Sequence, residues 1–270
     1  MAALLTQPVV SFPEAERLVA SVPWFHRFEL VEGLVTPGHV FTDAARYIDS
    51  LHLGDVAGLR ILEIGTWDGP LSFELKQRGA SVVATDIQDP SHTGFKVVEL
   101  VSGLSVPYVR ESVYNIHKHF YDEFDIVLFF GVFYHLKYPN LAFESIAKVL
   151  KLGGTLFTEG RGLGPYLEDV DGVSIAPPEG TWEMLETLDA MGVPLSLAYP
   201  GTFIGGCNWY LANKSALRGW MVAAGFDVDA LWSQTGGGQG EIRIGSTGTK
   251  AREPEIEHGL TGEVGGFSLI

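Results

Sequence analysis

Two groups of residues in this chain have the types and spacing for chemistry. The first is Glu63-Ile64-Gly65-Thr66-Trp67-Asp68-Gly69, with Asp86 following 21 residues after Gly65. Glycines let a ligand approach the backbone with no Cβ in the way. An acid about 20 residues further on is where a ribose diol is held by two hydrogen bonds. The same glycines would also serve a simple tight turn. The second group is Tyr134-His135 with Glu159 and Arg161. Histidine titrates near neutral pH and suits a general base or a substrate orienter. His135 has a second reading, a structural histidine that hydrogen-bonds a cofactor or a loop carbonyl. Tyr134 either bonds an acceptor or packs as a ring, and Glu159 pairs with a substrate hydroxyl or with Arg161.

Further candidates are more scattered. Trp24, His26 and His39 belong to an N-terminal aromatic stretch that could fold over a pocket, and Trp182, Trp209 and Tyr210 could wall one. Aromatic walls suit a flat or apolar substrate, although core packing explains such residues equally. Asp68 is placed to cap the following helix. His117 and His119 would share one face of a strand and could bind metal, but no matching acid or third histidine accompanies them, so a solvated loop is the reading and no metal is expected.

The elements that must hold these residues alternate. Arg60–Ile64 reads as a buried strand, Leu71–Arg78 as a helix closed by Gly79, and Ser81–Asp86 as a second strand. Val97–Val101 reads as a helix, Pro107–Arg110 as a third strand and Phe124–Phe130 as a strong central one. A helix over Leu141–Leu150, Gly153-Gly154, and a strand from Thr155 to Thr158 follow. Ser215–Ala224 is a helix, and Phe226–Trp232 with Glu241–Ser246 form a closing hairpin around the glycine-rich 235–240. This pattern predicts an α/β, Rossmann-like, doubly wound and mostly parallel seven-stranded sheet with an antiparallel C-terminal strand. An N-terminal helical or lid segment spans 1–54, with helices over Pro13–Ala20 and Phe41–Leu53; the main domain spans 55–250. Within it, the Gly- and Pro-rich 161–208, with one helix over Glu179–Met191, is long enough to be a substrate cap. Residues 251–270 read as a flexible tail.

Two cofactors suit a βαβ unit of this kind. A nicotinamide dinucleotide needs G-x-G-x-x-G, with its pyrophosphate at the helix N-terminus. The chain instead has acid-x-Gly-x-x-x-Gly, and Glu63 would repel a pyrophosphate while accepting from an amine.

With Phe124-Asp125-Ile126-Val127, Gly131-Val132-Phe133-Tyr134-His135-Leu136 and Gly153-Gly154-Thr155-Leu156, the chain resembles class I S-adenosylmethionine-dependent methyltransferases. Within them it is similar to the group that includes the tRNA wobble-uridine carboxymethyltransferases, over roughly 24–232; Asn208-Trp209-Tyr210-Leu211-Ala212-Asn213 follows that group's pattern too. Those methyltransferases usually carry a third glycine where this chain has Trp67. The resemblance implies S-adenosylmethionine as cofactor and S-adenosylhomocysteine as product. It places Glu63, Gly65, Thr66, Trp67 and Gly69 around the methionine end, Asp86 at the ribose and Ile87 over the adenine. Tyr114 and Asn115 would read the adenine amine, with Phe130 and Gly131 ending the central strand beneath the cofactor. The tRNA group clamps a carboxylated cofactor with a Tyr and an Arg; the aligned positions here are Pro70 and Gly206, so the ordinary cofactor is expected.

Charge points to the same acceptor class. The 33 acids and 18 bases give a net charge of −15, which repels a polyanion such as tRNA unless a local basic patch intervenes. Lys76, Arg78 and nearby isolated bases are too sparse to make one. The expectation is therefore a small-molecule methyltransferase of secondary metabolism, acting on oxygen, with nitrogen or carbon left open. A tRNA-modifying enzyme and a non-catalytic cofactor-binding protein are the alternatives. The lone Cys207 permits no internal disulfide, and Met1-Ala2-Ala3-Leu4-Leu5 is no signal peptide. No apolar run reaches the ~18–20 residues of a spanning helix. A cytoplasmic protein without membrane attachment is expected, its oligomeric state open, a homodimer included.

Overall fold

The computed structural model describes residues 3–236 and 241–254. The chain forms two compact units, Met1–Val113 with Phe124–Leu128, and Tyr114–Glu123 with Phe129–Ile270.

In the first unit, α1 (Phe12–Val19) carries proline in its first turn, where no backbone N–H is needed. Four short strands follow: β1 (His26–Arg27), β2 (Glu29–Val31), β3 (Leu34–Val35) and β4 (Val40–Phe41). β1 pairs with β4 in parallel, and β2 with β3 antiparallel. The N-terminal segment is thus not simply helical. The predicted helix from Phe41 shrinks to α2 (Ala44–Ser50), because Asp43 caps it by accepting from the Arg46 N–H.

The βαβ unit matches its sequence pattern. β5 (Arg60–Ile64), α3 (Pro70–Gln77), β6 (Ser81–Asp86), α4 (Phe95–Ser102) and β7 (Tyr108–Arg110) alternate. β5 pairs with β6 and β6 with β7, all parallel. The three central residues of β5 and nearly all of β6 are buried, as continuous apolar runs in parallel sheets are. β8 (Phe124–Phe130) begins in this unit, where the Asp125 carboxylate accepts the Arg60 N–H at 2.8 Å.

The second unit takes the end of β8, then α5 (Pro139–Val149) and β9 (Leu150–Gly162). The insertion contributes β10 (Leu167–Glu168), β11 (Ser174–Ile175), α6 (Thr181–Ala190), β12 (Ser196–Ala198) and β13 (Tyr210–Ala212). α7 (Lys214–Ala223) is capped by Asn213, which accepts the Ala216 N–H at 2.8 Å. β14 (Phe226–Thr235) and β15 (Ile242–Lys250) form the expected antiparallel hairpin.

β15 also runs antiparallel to β9, from Thr155↔Thr249 to Gly162↔Ile242. That long ladder explains why β9 runs on past Thr158 to Gly162; the strand also begins earlier than its sequence pattern, at Leu150, so that Gly153-Gly154 lie within it. The predicted seven strands are β5–β9, β14 and β15, a mostly parallel sheet with an antiparallel C-terminal strand. β13 joins the end of β9 in parallel, at Gly162, and β12 pairs with β13, so part of the insertion extends the sheet.

His117 and His119 are not on a strand. A 3-10 turn spans Val113–Lys118, and His117 Nδ1 lies 2.9 Å from Ser145 Oγ. Residues 237–240 and 255–270, which include most of the glycine loop and of the expected tail, lie outside the described residues. No helix among the described residues is long and apolar enough to cross a membrane.

Candidate active site

The loop after β5 turns through left-handed backbone at Gly65, Trp67 and Gly69, with φ of 82°, 49° and 80°. Trp67 stands where a third glycine is usual, and its backbone has the conformation that glycine adopts freely. Two bonds hold it there: the Trp67 N–H donates to Asp86 Oδ2 at 3.0 Å, and Thr93 Oγ1 donates to the Trp67 carbonyl at 3.1 Å. The other Asp86 oxygen accepts the Gln88 N–H at 3.0 Å. Each carboxylate oxygen has more than one lone pair, so both can still accept a hydroxyl. Ile87, next in sequence, is 64% exposed, an apolar side chain facing water beside that carboxylate.

Glu63, the last residue but one of β5, is a buried acid. Its Oε2 accepts from Thr66 Oγ1 at 2.9 Å and from Ser72 Oγ. Burial pushes its carboxyl above the usual range, against the pull of those hydroxyls and of His26. A cation beside it would relieve that cost. The arrangement fits the group expected here: a buried acid for an amine, and an acid on the next strand for a diol.

Asp68 does not cap α3. The N-cap is Gly69 and makes no side-chain bond. Asp68 is fully buried and accepts instead from Phe25 N (2.9 Å), His26 N (2.8 Å), His26 Nδ1 (3.1 Å) and Gly94 N (2.8 Å). It therefore ties the N-terminal segment to the loop. Phe25 is the hinge of that contact, its ring meeting Trp67, His26 and His39 at 5.4, 4.9 and 4.9 Å. His26 and His39 thus stand beside the loop. Trp24 does not serve as a pocket wall: it is buried, its indole N–H donates to the Val19 carbonyl at 2.8 Å, and its ring presses on Gly94, where a Cβ would come within 2.2 Å.

The second unit assembles the other group. Tyr134 and His135 lie on a 3-10 turn, Phe133–His135, with ring centroids 4.1 Å apart. His135 Nδ1 sits 2.9 Å from the Cys207 carbonyl, the loop-carbonyl contact that sequence left as an alternative. Burial lowers the His135 pKa below its ordinary value; the Cys207 carbonyl opposes this, and the Arg243 and Arg161 charges reinforce it. The ring is therefore neutral near pH 7.

Glu159 is buried but is not paired with Arg161. It takes a two-pronged ion pair from Arg243, through Nε to Oε1 and Nη2 to Oε2, the latter at 2.9 Å. Arg161 pairs with Glu241 at 3.2 Å, as does Arg243. The Arg243 guanidinium stands 5.6 Å over the Tyr134 ring. Burial alone would lower the Arg243 pKa, but Glu159 more than offsets this and holds it raised. A carboxylate so engaged anchors an arginine; it is not a free base. Trp209 and Tyr210 are half-buried, Trp209 under Lys137 at 5.2 Å and Tyr210 edge-on to Trp220 at 6.2 Å. Trp182 packs on the apolar cluster of Leu163, Tyr199, Phe203 and Leu211. The Tyr114 hydroxyl accepts the Tyr138 N–H at 3.0 Å, Asn115 is half-buried on the same 3-10 turn, and Phe130 and Gly131 end β8, the Gly131 N–H donating to the Glu159 carbonyl at 2.8 Å.

Arg243, Glu241, Ser72 and the new role of Asp68 escaped sequence reasoning. The first two were visible as strand residues, but their partners depend on the register of β15 against β9. No signal in the sequence marks Ser72 as the neighbour of Glu63.

Comparison with known proteins identifies the family and the fold. The profile of the methyltransferase domain family matches residues 38–231. Ubiquinone biosynthesis O-methyltransferase of Nitrosococcus oceani is 30% identical over 131 residues, 47% of this chain and 56% of the relative. The tRNA U34 carboxymethyltransferase of Desulfotalea psychrophila is 28% identical over 180 residues, 66% of this chain and 48% of the relative. The chain spans about half the length of the curated relatives it matches. Among solved structures, the N-terminal domain of EvdMO1, determined with S-adenosylhomocysteine and D-fucose, superposes with a TM-score of 0.63 at 18% identity, covering 93% of this chain and 100% of that one. The 1,6-didemethyltoxoflavin-N1-methyltransferase of Burkholderia thailandensis gives 0.55 at 15% identity, covering 78% and 79%. The chain has the fold of S-adenosylmethionine-dependent methyltransferases and belongs to the methyltransferase domain family.

Proposed function

We propose that this protein transfers the methyl group of S-adenosylmethionine to an oxygen of a small-molecule acceptor in a biosynthetic pathway. The observation that carries the reading is the pair of acids on neighbouring strands, Glu63 and Asp86, around the left-handed loop Gly65–Gly69. Bound there, the cofactor supplies a methyl group already activated on a sulfonium. Glu63 receives the methionine amine, whose positive charge offsets the burial of the carboxylate. Asp86 holds the ribose hydroxyls and Ile87 covers the adenine. Thr66, Trp67 and Gly69 shape the methionine end. Tyr114, Asn115, Phe130 and Gly131 keep the adenine-side and strand-end roles that the family resemblance assigns.

His135 is the general base for a hydroxyl acceptor. With Nδ1 directed at a carbonyl, the neutral ring carries its lone pair on Nε2, as proton removal requires. Tyr134 and the Glu159–Arg243 pair hold the turn that presents it. Trp209 and Tyr210 offer apolar wall to an acceptor, and residues 161–208 serve as its cap. Methylation of a nitrogen would use the same parts. The ubiquinone-pathway and toxoflavin relatives support a small acceptor. A tRNA acceptor has the carboxymethyltransferase relative in its favour and the net charge of −15 against it.

The test is calorimetric titration with S-adenosylmethionine, followed by isotope-labelled methyl transfer to a panel of phenols, sugars, amines and tRNA. Micromolar binding with label on a small hydroxyl compound is expected. Absence of binding overturns the reading, and label on tRNA alone replaces the acceptor half.

A further inference from the structure

Four consecutive residues, Ile204, Gly205, Gly206 and Cys207, have φ of 47°, 73°, 115° and 59°. Glycine adopts this region freely, but Ile204 and Cys207 at either end are L-residues that stay there only where their surroundings hold them. The supports are specific. The Ile204 N–H donates to Glu168 Oε2 at 2.8 Å, and the Tyr166 hydroxyl donates to Glu168 Oε1 at 2.9 Å. Glu168 is buried. Asn208 Nδ2 reaches back across the turn to the Phe203 carbonyl at 2.7 Å, while Phe203, 1% exposed, packs on Tyr199 at 4.7 Å. Beyond the turn, the Trp209 N–H donates to the Tyr134 carbonyl at 2.8 Å, one residue from His135.

This arrangement sets the Cys207 carbonyl 2.9 Å from His135 Nδ1, and the side chain of Asn208, next along the turn, also bonds to the ring. A carbonyl only accepts, so the neutral ring must carry its proton on Nδ1. Left to itself, a histidine side chain favours the proton on Nε2, where it would block removal of a proton from an acceptor.

We propose that Glu168 is a positioning residue: through the left-handed turn it anchors, it aims the Cys207 carbonyl at His135 Nδ1 and keeps the ring in the tautomer whose Nε2 is free to take a proton. The catalytic use of that tautomer rests on the reading of His135 as base. The tautomer itself is open to direct observation.

Long-range proton–nitrogen NMR spectra of protein labelled with nitrogen-15 histidine report it, with the His135 signals assigned by their loss in His135→Gln. The native protein at neutral pH is expected to show a bare Nε2. Glu168→Leu removes both anchors and is expected to move His135 towards the other tautomer and to lower kcat about tenfold, with KM for S-adenosylmethionine nearly unchanged. Glu168→Gln keeps an acceptor for the Ile204 N–H and is expected to restore both. Should Glu168→Leu lose its fold, Gly206→Ala tests the turn independently, since alanine rarely adopts a φ of 115°. A proton on Nε2 in the native protein, or a tautomer unmoved in Glu168→Leu and Gly206→Ala, overturns the proposal. A tautomer that responds as expected, alongside full turnover by His135→Gln, upholds the positioning and overturns only the base.

Discussion

Replacing Asp86 separates two tasks of one carboxylate. Its oxygens accept the N–H groups of Trp67 and Gln88, each at 3.0 Å, and the residue is 8% exposed. Asp86→Ala leaves both amides without that partner. Fully buried, each orphan would cost about 1–3 kcal/mol; both residues are half-buried, so water softens the loss, and about 2 kcal/mol for the pair is expected. The cofactor loses more. Two charge-assisted bonds to a ribose diol are worth about 1.5–3 kcal/mol each, so affinity falls at least tenfold, and about a hundredfold if one bond is lost at full value. Asp86→Asn retains one acceptor oxygen and should recover roughly half of the stability but little of the affinity. Urea unfolding without cofactor measures the first quantity, and calorimetry with S-adenosylmethionine and S-adenosylhomocysteine the second. Lost stability with unchanged affinity would reduce Asp86 to a brace for Trp67 and refute the ribose assignment.

Three further outcomes follow from the same geometry. Because burial raises the Glu63 pKa above its unfolded value, the stability linked to this carboxyl is present below the unfolded pKa and lost as pH rises through the raised one; an incoming ammonium reverses the shift. Cofactor binding should therefore release protons and tighten with pH in that window, which calorimetry in buffers of different ionisation enthalpy would detect; proton-neutral binding would remove Glu63 from the amine. His135→Ala should cut turnover by about 10²–10⁴ with cofactor affinity nearly intact. Since burial depresses the pKa of His135, native kcat/KM should hold below pH 6.5 and fall only as pH drops through the lowered value, its linked stability failing in the same direction; loss of affinity instead would make His135 a cofactor ligand. Arg243→Met leaves Glu159 buried without its cation and should cost about 3–5 kcal/mol in urea unfolding, with partial recovery in Glu159→Gln/Arg243→Met; no loss would show the pair to be incidental.

How much of the site was legible in sequence depended on how local its bonds are. Glu63, Thr66, Trp67 and Asp86 all fall within one βαβ unit, and the side-chain bonds among them span 3 and 19 residues. Strand–loop–helix chemistry places such residues together whatever surrounds them. The partners of Asp68 and Glu159 lie 43 and 84 residues away. From sequence, Glu159 pairs with a substrate hydroxyl or with Arg161, two residues along the same strand. The two share the strand's periodicity, but Arg243 on β15 and Glu241 just before it meet them, and each acid takes an arginine from across the pairing. Strand periodicity gives the face; only register gives the partner. The N-terminal segment misled for a related reason, since its two-residue strands are too short to leave an alternating pattern.

Trp67 sharpens the distinction between a motif and what the motif does. Read as letters, a tryptophan in place of the usual middle glycine weakens the loop. Read as backbone, nothing is lost: φ is 49°, and the flanking glycines stand at 82° and 80°. The left-handed conformation costs an L-residue roughly 1–2 kcal/mol. The bonds to Asp86 and from Thr93, with the Phe25 ring 5.4 Å away, are of the size needed to offset it. The last of these supports exists because Asp68 draws Phe25 and His26 onto the loop. The N-terminal segment therefore adds one support to a loop shape that glycine would otherwise provide freely, the strand and loop residues Asp86 and Thr93 supplying the hydrogen bonds, and it brings His26 and His39 with it.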